Sequence, residues 1–346
     1  MKILITGIAG FIGSRVAQML AQRGDAIVGI DSINDYYDVR IKYARLKELL
    51  GVETNENDMS FGKTYQSSIF SNLCFMRLSI DDKYTLDALF EHEHFDVVVN
   101  LAAQAGVRYS ITHPYAYMQN NLIGFLNILE SCRNYNVPKL VFASSSSVYG
   151  MNEKVPYSEV DKVDSPVSLY AATKKSNELM AHCYSKLYGF QTIGLRYFTV
   201  YGPWGRPDMS PMLFADALRD DKPIKVFNNG DMIRDYTYID DIAEGTVRSI
   251  DYTLDKSTCP HEVLYKIYNI GCSHPVKLMD FISEMEQAYG KEAKKEFLPM
   301  QAGDVYMTNA DCSALEHDMG YHPRVTLHEG IWNFMQWYKS INGSII

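Results

Sequence analysis

The 346 residues contain no apolar run approaching 18 residues, so no segment reads as a membrane-spanning helix. Positive charge is in deficit. Against 42 Asp and Glu stand 33 Lys and Arg, a net charge of −9 that argues against nucleic acid or an anionic membrane as partner. Six cysteines (Cys74, Cys132, Cys183, Cys259, Cys272, Cys312) are scattered, without a C-x-x-C pair or clustered histidines. That spacing fits neither a zinc site nor a disulfide framework, and predicts reduced thiols, no metal and a cytoplasmic location. A strand starting at Lys2 leaves no room for a signal peptide. Internal repeats and low-complexity linkers are absent, so the chain reads as an α/β domain with an appended lobe.

What is present begins with Lys2-Ile3-Leu4-Ile5-Thr6, a buried strand, then Gly7-Ile8-Ala9-Gly10-Phe11-Ile12-Gly13. A helix is predicted from Phe11 to about Arg23, with Phe11, Val16, Met19 and Leu20 inward and Gly24 as its stop. The next strand, Ala26-Ile27-Val28-Gly29-Ile30, ends in Asp31, 18 residues past Gly13. Glycines let backbone approach a diphosphate at the helix N-terminus, and the acid can accept from an adenosine ribose. No arginine follows Asp31 in Ser32-Ile33-Asn34-Asp35, which favours NAD over NADP. Further strands are expected at Leu73-Cys74-Phe75-Met76-Arg77 and over 95–103, the latter tipped by the small residues of Asn100-Leu101-Ala102-Ala103. Helices are expected over 40–50 and 84–92, a mobile excursion over 51–72, and one long helix over 114–135.

The stretch from Ala143 to Lys174 organises the chemistry. Lys139-Leu140-Val141-Phe142-Ala143 reads as a buried strand, and Ser144-Ser145-Ser146-Ser147 lie at its carboxyl end, where open α/β sheets bind ligands. Tyr170 and Lys174 are four apart in a Gly- and Pro-free segment and share one helix face. A phenol of pKa about 10 is a poor base at neutral pH, but an ammonium nearby favours its ionised form. Lys174 and a cationic nicotinamide are expected to lower it jointly. After Gln191-Thr192-Ile193-Gly194-Leu195-Arg196-Tyr197-Phe198 the pattern breaks into turn-rich sequence and short elements. The expected fold is a Rossmann-like doubly wound parallel sheet over 1–198, with a smaller mixed α/β substrate-binding lobe over 199–346 that crosses back around 235–272.

These motifs, with Arg234-Asp235-Tyr236 and Gly303-Asp304-Val305, resemble in order the extended short-chain dehydrogenase/reductase family, in its nucleotide-sugar epimerase and dehydratase branch. Within it, Arg196-Tyr197-Phe198-Thr199-Val200-Tyr201-Gly202-Pro203-Trp204-Gly205-Arg206-Pro207-Asp208-Met209 and Asn34-Asp35-Tyr36-Tyr37-Asp38 are similar to the UDP-glucuronate 4-epimerases. The resemblance implies Tyr170 as base, Lys174 on the nicotinamide ribose, and Ser145 on the sugar 4-hydroxyl, with Ser146 and Ser147 as alternatives in that serine run. It implies NAD contacts from Gly7, Gly10, Phe11, Ile12, Gly13, Asp31, Asn34, Ser79, Ile80, Leu101, Ala102, Ala103, Asn120 and Phe198. Ser79 stands where family members usually carry Asp, so looser adenine contact is expected. Arg234, Gln301 and Asp304 would hold the nucleotide of a UDP-sugar, while Arg206 and Thr199 would hold a uronate carboxylate. The simplest alternative for Arg206 is a loop arginine paired to Asp208. A homodimer is implied, with a four-helix seam from segments 114–135 and 168–189. A 4,6-dehydratase would need Asp-Glu, and a uronate decarboxylase Glu, where this chain has Ser146 and Ser147. Another UDP-sugar as substrate (UDP-glucose, a UDP-N-acetylhexosamine or its uronate), or dinucleotide sensing without turnover, are the remaining readings.

Overall fold

The computed structural model describes residues 1–55, 58–301 and 305–341. Its strands in chain order are β1 (Lys2–Thr6), β2 (Ala26–Asp31), β3 (Thr64–Gln66), β4 (Leu73–Arg77), β5 (Val97–Asn100), β6 (Lys139–Ser145) and β7 (Gln191–Tyr197). There follow β8 (Thr199–Tyr201), β9 (Ile224–Val226), β10 (Ile233–Tyr238), β11 (Tyr265–Ile270), β12 (Pro275–Lys277) and β13 (Lys295–Phe297). Among the described residues, eight form one sheet in the order β11-β7-β6-β5-β1-β2-β4-β3. Every pair in it is parallel except β3–β4. From β1 the chain winds outward first through β2 and β4, then through β5, β6 and β7. This is the doubly wound arrangement, and its order reverses beside β1, where a crevice opens at the strands' carboxyl ends.

Alternation along β1 explains why both faces are covered. Ile3 and Ile5 join one apolar cluster, which continues into the lobe through Tyr236 and Phe281, while Leu4 joins a second on the opposite face. Helix Phe11–Arg23 buries Phe11, Val16 and Leu20, leaves Met19 half-buried, and stops at Gly24, whose φ of 99° favours glycine. Helix Leu169–Tyr188 starts at Ser168, whose side chain accepts from the Ala171 amide at 3.1 Å.

Three stretches depart from the sequence expectations. The described part of 51–72 contains β3, paired antiparallel to β4, and Ser67 Oγ ties the following turn to Leu49 O at 2.7 Å. A three-residue polar edge strand carries no periodicity from which to read it. The strand expected over 95–103 is regular only over β5, and its small-residue tip is loop. The helix expected over 114–135 is continuous from Pro114 to Asn134, but its middle, Met118–Gly124, is wound as a π-helix between the α-helical Pro114–Tyr117 and Phe125–Asn134. Asn121, inside the π segment, is pinned sideways to Gln104 and Thr173, so the widened turn sits where polar side chains must reach the crevice.

The lobe consists of the sheet β12-β10-β8, the pair β13-β9, and helices Ser210–Arg219, Leu278–Tyr289 and Leu327–Ile341. Between these pieces the chain returns to the large sheet. Helix Ile239–Asp251 meets the first helix through Arg15 Nε and Asp240 Oδ1 at 2.7 Å, and β11 pairs with β7. Among the described residues no helix is long and apolar enough to cross a membrane, and no group of three or more His, Cys, Asp and Glu could hold a metal.

Candidate active site

The dinucleotide end is made by backbone. A Cβ on Gly7 (φ 73°) would lie 2.8 Å from Ala102 N, and one on Gly13 would lie 2.2 Å from Gly7 O. The glycine loop therefore packs directly on the β5 tip and its own helix. Gly10 is the N-cap of that helix and offers no side chain, so no side-chain acceptor caps the first-turn amides. An uncapped helix start opening onto a cleft fits a diphosphate. Asp31 is nearly buried, and its carboxylate accepts from Ile33 N at 2.8 Å and Ala9 N at 3.2 Å. Asn34 beside it is held by Lys42, whose Nζ reaches Asn34 Oδ1 at 2.6 Å.

The other end is made by side chains. Ser144 is committed to the core, donating to Glu178 Oε1 at 2.6 Å. Ser145 accepts from Ser147 N at 3.2 Å and its hydroxyl meets Ser147 Oγ at 3.1 Å. Burial pushes the Tyr170 phenol above its ordinary pKa, while the Ser145 hydroxyl and the Arg206 guanidinium act in the opposite direction. The sequence reading assigned the lowering to Lys174 and a cationic nicotinamide together, and without the cofactor the phenol stands above its ordinary value. Lys174 is turned to Ala143 O at 2.7 Å, and its burial pulls its own pKa down to about 8.

One cleft of about 370 Å³ runs between these ends. The structure brings to it Gly7, Gly10, Phe11, Ile12, Gly13, Asp31 and Asn34, then Ser79 and Ile80 from the end of β4. Leu101, Ala102 and Ala103 beyond β5, Asn120, Ser145, Ser146, Ser147, Tyr170, Lys174, Phe198, Thr199 and Arg206 line it too. Arg234 and Gln301 do not line it. Arg234 Nη1 donates to Ile233 O and Tyr306 O, and Gln301 Oε1 is buried without a hydrogen-bond partner among the described residues. Asp304 lies outside the described residues. Arg206 is paired with Asp208 of its own loop, Nε to Oδ1 at 3.0 Å and Nη2 to Oδ2 at 2.6 Å.

Sequence reasoning passed over three residues here. Arg45 is fully buried and donates to Ala9 O (3.0 Å), Trp204 O (2.7 Å) and Tyr37 Oη (2.6 Å), tying the glycine loop to the loop that carries Arg206. Its signal was available: Ile41, Arg45 and Leu49 share one face of helix Val39–Leu50. Asn121 accepts from Gln104 N at 2.8 Å and donates to Thr173 Oγ1 at 3.1 Å, joining the β5 tip to the tyrosine helix. Tyr36 reaches across the cleft, its hydroxyl donating to Asp208 Oδ2 at 2.9 Å.

Comparison with known proteins agrees in extent with this architecture. "Protein CapI" of Staphylococcus aureus is 46% identical over 98% of both chains. "UDP-glucuronate 4-epimerase 4" of Arabidopsis thaliana is 42% identical over 98% of this chain and 75% of its own length. A crystal structure of UDP-glucuronic acid 4-epimerase from Bacillus cereus, in complex with UDP-glucuronic acid and NAD, superposes with a TM-score of 0.84. It is 33% identical and the match covers 99% of this chain and 100% of that one. The family model "Epimerase: NAD dependent epimerase/dehydratase family" matches residues 3–271, and the chain belongs to that NAD-dependent family.

Proposed function

We propose that the chain is a UDP-glucuronate 4-epimerase, interconverting UDP-glucuronate and UDP-galacturonate through a transient 4-keto sugar. The observation that carries the substrate choice is the Arg206 guanidinium in the cleft wall, close enough to act on Tyr170. When bound, oxidised NAD supplies the hydride acceptor for C4 and a positive charge beside the phenol. The chain's own groups do the rest. Tyr170 takes the proton of the 4-hydroxyl and later returns it, and Ser145 orients that hydroxyl, with Ser146 and Ser147 at hand. Lys174 turns to the nicotinamide ribose, and Asp31 accepts from the adenosine ribose. The first-turn amides behind Gly10 face the diphosphate. Arg234, Gln301 and Asp304 are assigned to the uridine nucleotide.

A 4-keto uronate is a β-keto acid, prone to lose carbon dioxide unless its carboxylate is held charged and fixed. Arg206 and Thr199 are assigned that task in the two seated poses of the sugar, before and after the ring turns. One observation favours a second reading, a neutral UDP-hexose: Asp208 already neutralises Arg206. Product analysis separates the two. With NAD present, NMR of reactions with UDP-glucuronate, UDP-glucose and UDP-N-acetylglucosamine is expected to give UDP-galacturonate fastest. Faster conversion of either neutral sugar would overturn the uronate assignment. Tyr170→Phe is expected to cut turnover at least a hundredfold while both ligands still bind.

Pairing of two chains belongs to the same reading. Tyr115, Ile123, Leu179 and Leu187 are exposed apolar side chains on segments 114–135 and 168–189, which Tyr184 Oη joins by donating to Glu130 Oε1 at 2.6 Å. Sedimentation at micromolar concentration is expected to give twice the chain mass, and a single-chain mass would remove the pairing.

A further inference from the structure

Two loops close on the cleft from opposite walls. One follows β2 and carries Tyr36, and the other follows β8 and carries Arg206 and Asp208. They meet at a single carboxylate. Asp208 accepts from Tyr36 Oη at 2.9 Å and from two nitrogens of Arg206 at 3.0 and 2.6 Å. Tyr36 is itself held: its ring meets Tyr109 edge-on at 4.8 Å, and a Cβ on Gly106 would lie 2.3 Å from its hydroxyl. Asp208 takes two of the three guanidinium nitrogens of Arg206, Nε and Nη2, and the guanidinium also stands 5.9 Å from the centre of the Tyr36 ring. The pair is only partly covered, with side-chain exposures of 24% for Arg206 and 33% for Asp208.

A 4-epimerase has a geometric requirement that a dehydrogenase lacks. Hydride leaves one face of the sugar and returns to the other, so the ring must turn while the nicotinamide stays still. The uronate carboxylate is fixed to that ring and is carried along. It cannot remain on one guanidinium through the whole cycle. Under a bound sugar, a partly exposed cation released in mid-cycle loses its counter-charge and its access to water together, which is unfavourable. A second carboxylate within reach removes that barrier.

We propose that Asp208 is the exchange partner of Arg206, taking up its guanidinium when the substrate carboxylate swings away and yielding part of it when the carboxylate returns. Tyr36 is the positioning residue that holds Asp208 at the required place from the opposite wall. The inference rests on the uronate reading above. It has a consequence that a merely structural ion pair lacks. Asp208 competes with substrate, so it weakens binding while it speeds the turn.

The test separates binding from turning. In NAD-loaded Tyr170→Phe protein, calorimetry with UDP-glucuronate is expected to show binding at least threefold tighter once Asp208→Asn is added. The gain should be absent with UDP-glucose, which has no carboxylate. With Tyr170 restored, stopped-flow absorbance of the reduced nicotinamide is expected to show Asp208→Asn accumulating the reduced form. Its ratio of epimerised product to returned substrate should fall at least fivefold. Weaker binding in Asp208→Asn would mean that Asp208 only props Arg206 in place, and tighter binding with an unchanged ratio would make it a plain competitor; either result overturns the proposal. Tyr36→Phe keeps the carboxylate and guards against misfolding of the first variant. It should move both readouts the same way by about twofold, and no movement in either also overturns the exchange. If wild-type protein does not turn over UDP-glucuronate at all, the failure lies in the substrate assignment instead.

Discussion

Two arginines ten residues apart on the chain each pair with a carboxylate, Arg196 with Glu178 and Arg206 with Asp208, and the pairs differ in how completely each is closed. Arg196 and Glu178 are 3% and 1% exposed. The guanidinium donates to both carboxylate oxygens at 2.8 and 3.0 Å and to Tyr149 Oη at 3.0 Å, and Ser144 donates to Glu178 at 2.6 Å. Burial alone would raise the Glu178 pKa, but hydrogen bonding and charge from Arg196 hold it below the ordinary value. Nothing remains for a ligand to use. Arg206 gives only two of its three nitrogens to its carboxylate, stands partly exposed and faces the cleft. The same chemistry thus makes a closed rivet under the serine strand and a solvent-accessible contact at the cleft wall. What distinguishes them is access to solvent.

Breaking the rivet has the largest expected effect. Glu178→Gln removes the counter-charge and leaves a buried guanidinium, at a cost of roughly 3–5 kcal/mol of stability. Urea denaturation measures this, and a loss below about 1 kcal/mol would mean the pair is solvated. The equivalent break in the second pair should spare the fold, since a partly exposed ion pair contributes about 0–1 kcal/mol. Arg206→Ala should act on substrate choice instead. Were Arg206 unpaired in the free protein, UDP-glucose would strand it and discrimination of two to four decades would follow. With Asp208 already on the guanidinium, the expected loss in the ratio of catalytic efficiencies is about one to two decades. A ratio unchanged within about twofold would remove Arg206 from carboxylate recognition.

The contrast also explains what could be read from the sequence. The dinucleotide half was legible because glycine spacing, strand alternation and Asp31 are local signals, and β1, the first helix and β2 are where they indicated. Tyr170, Lys174 and the serine run reach one cleft because one strand and one helix carry them. Contacts between distant segments were not legible. Nothing local marks Tyr36 as the partner of Asp208, or Arg45 as the tie between Ala9 and Trp204. The π turn at Asn121 is set by Gln104 and Thr173, which no helical periodicity encodes. The family resemblance pointed to Arg206, but its pairing with Asp208 was only one of two options until the loop geometry was known.

Lys174 extends the comparison to a buried cation with no carboxylate at all among the described residues. It is 3% exposed, makes no ion pair among the described residues, and donates to a single carbonyl, Ala143 O. Burial moves its pKa from 10.5 to about 8. In the unfolded chain the amine holds its proton up to about 10.4. Below about 8 both states are protonated, and the folded protein carries the full penalty of a desolvated ammonium. As pH rises from about 8 towards 10.5 the folded state releases its proton first, so the penalty shrinks and stability rises. At about 1.4 kcal/mol per pKa unit the penalty at pH 7 is at most about 3 kcal/mol. Lys174→Met removes it but also loses the bond to Ala143 O, which is about 1 kcal/mol. The cofactor-free variant should therefore be more stable than wild type by about 2 kcal/mol at pH 7, and by roughly half that at pH 9. Urea denaturation at the two pH values checks both the sign and the trend. A variant less stable at pH 7, or a gain that does not shrink at pH 9, would mean that the ammonium is solvated in the free protein. Lys174 would then hold its charge without a desolvation penalty.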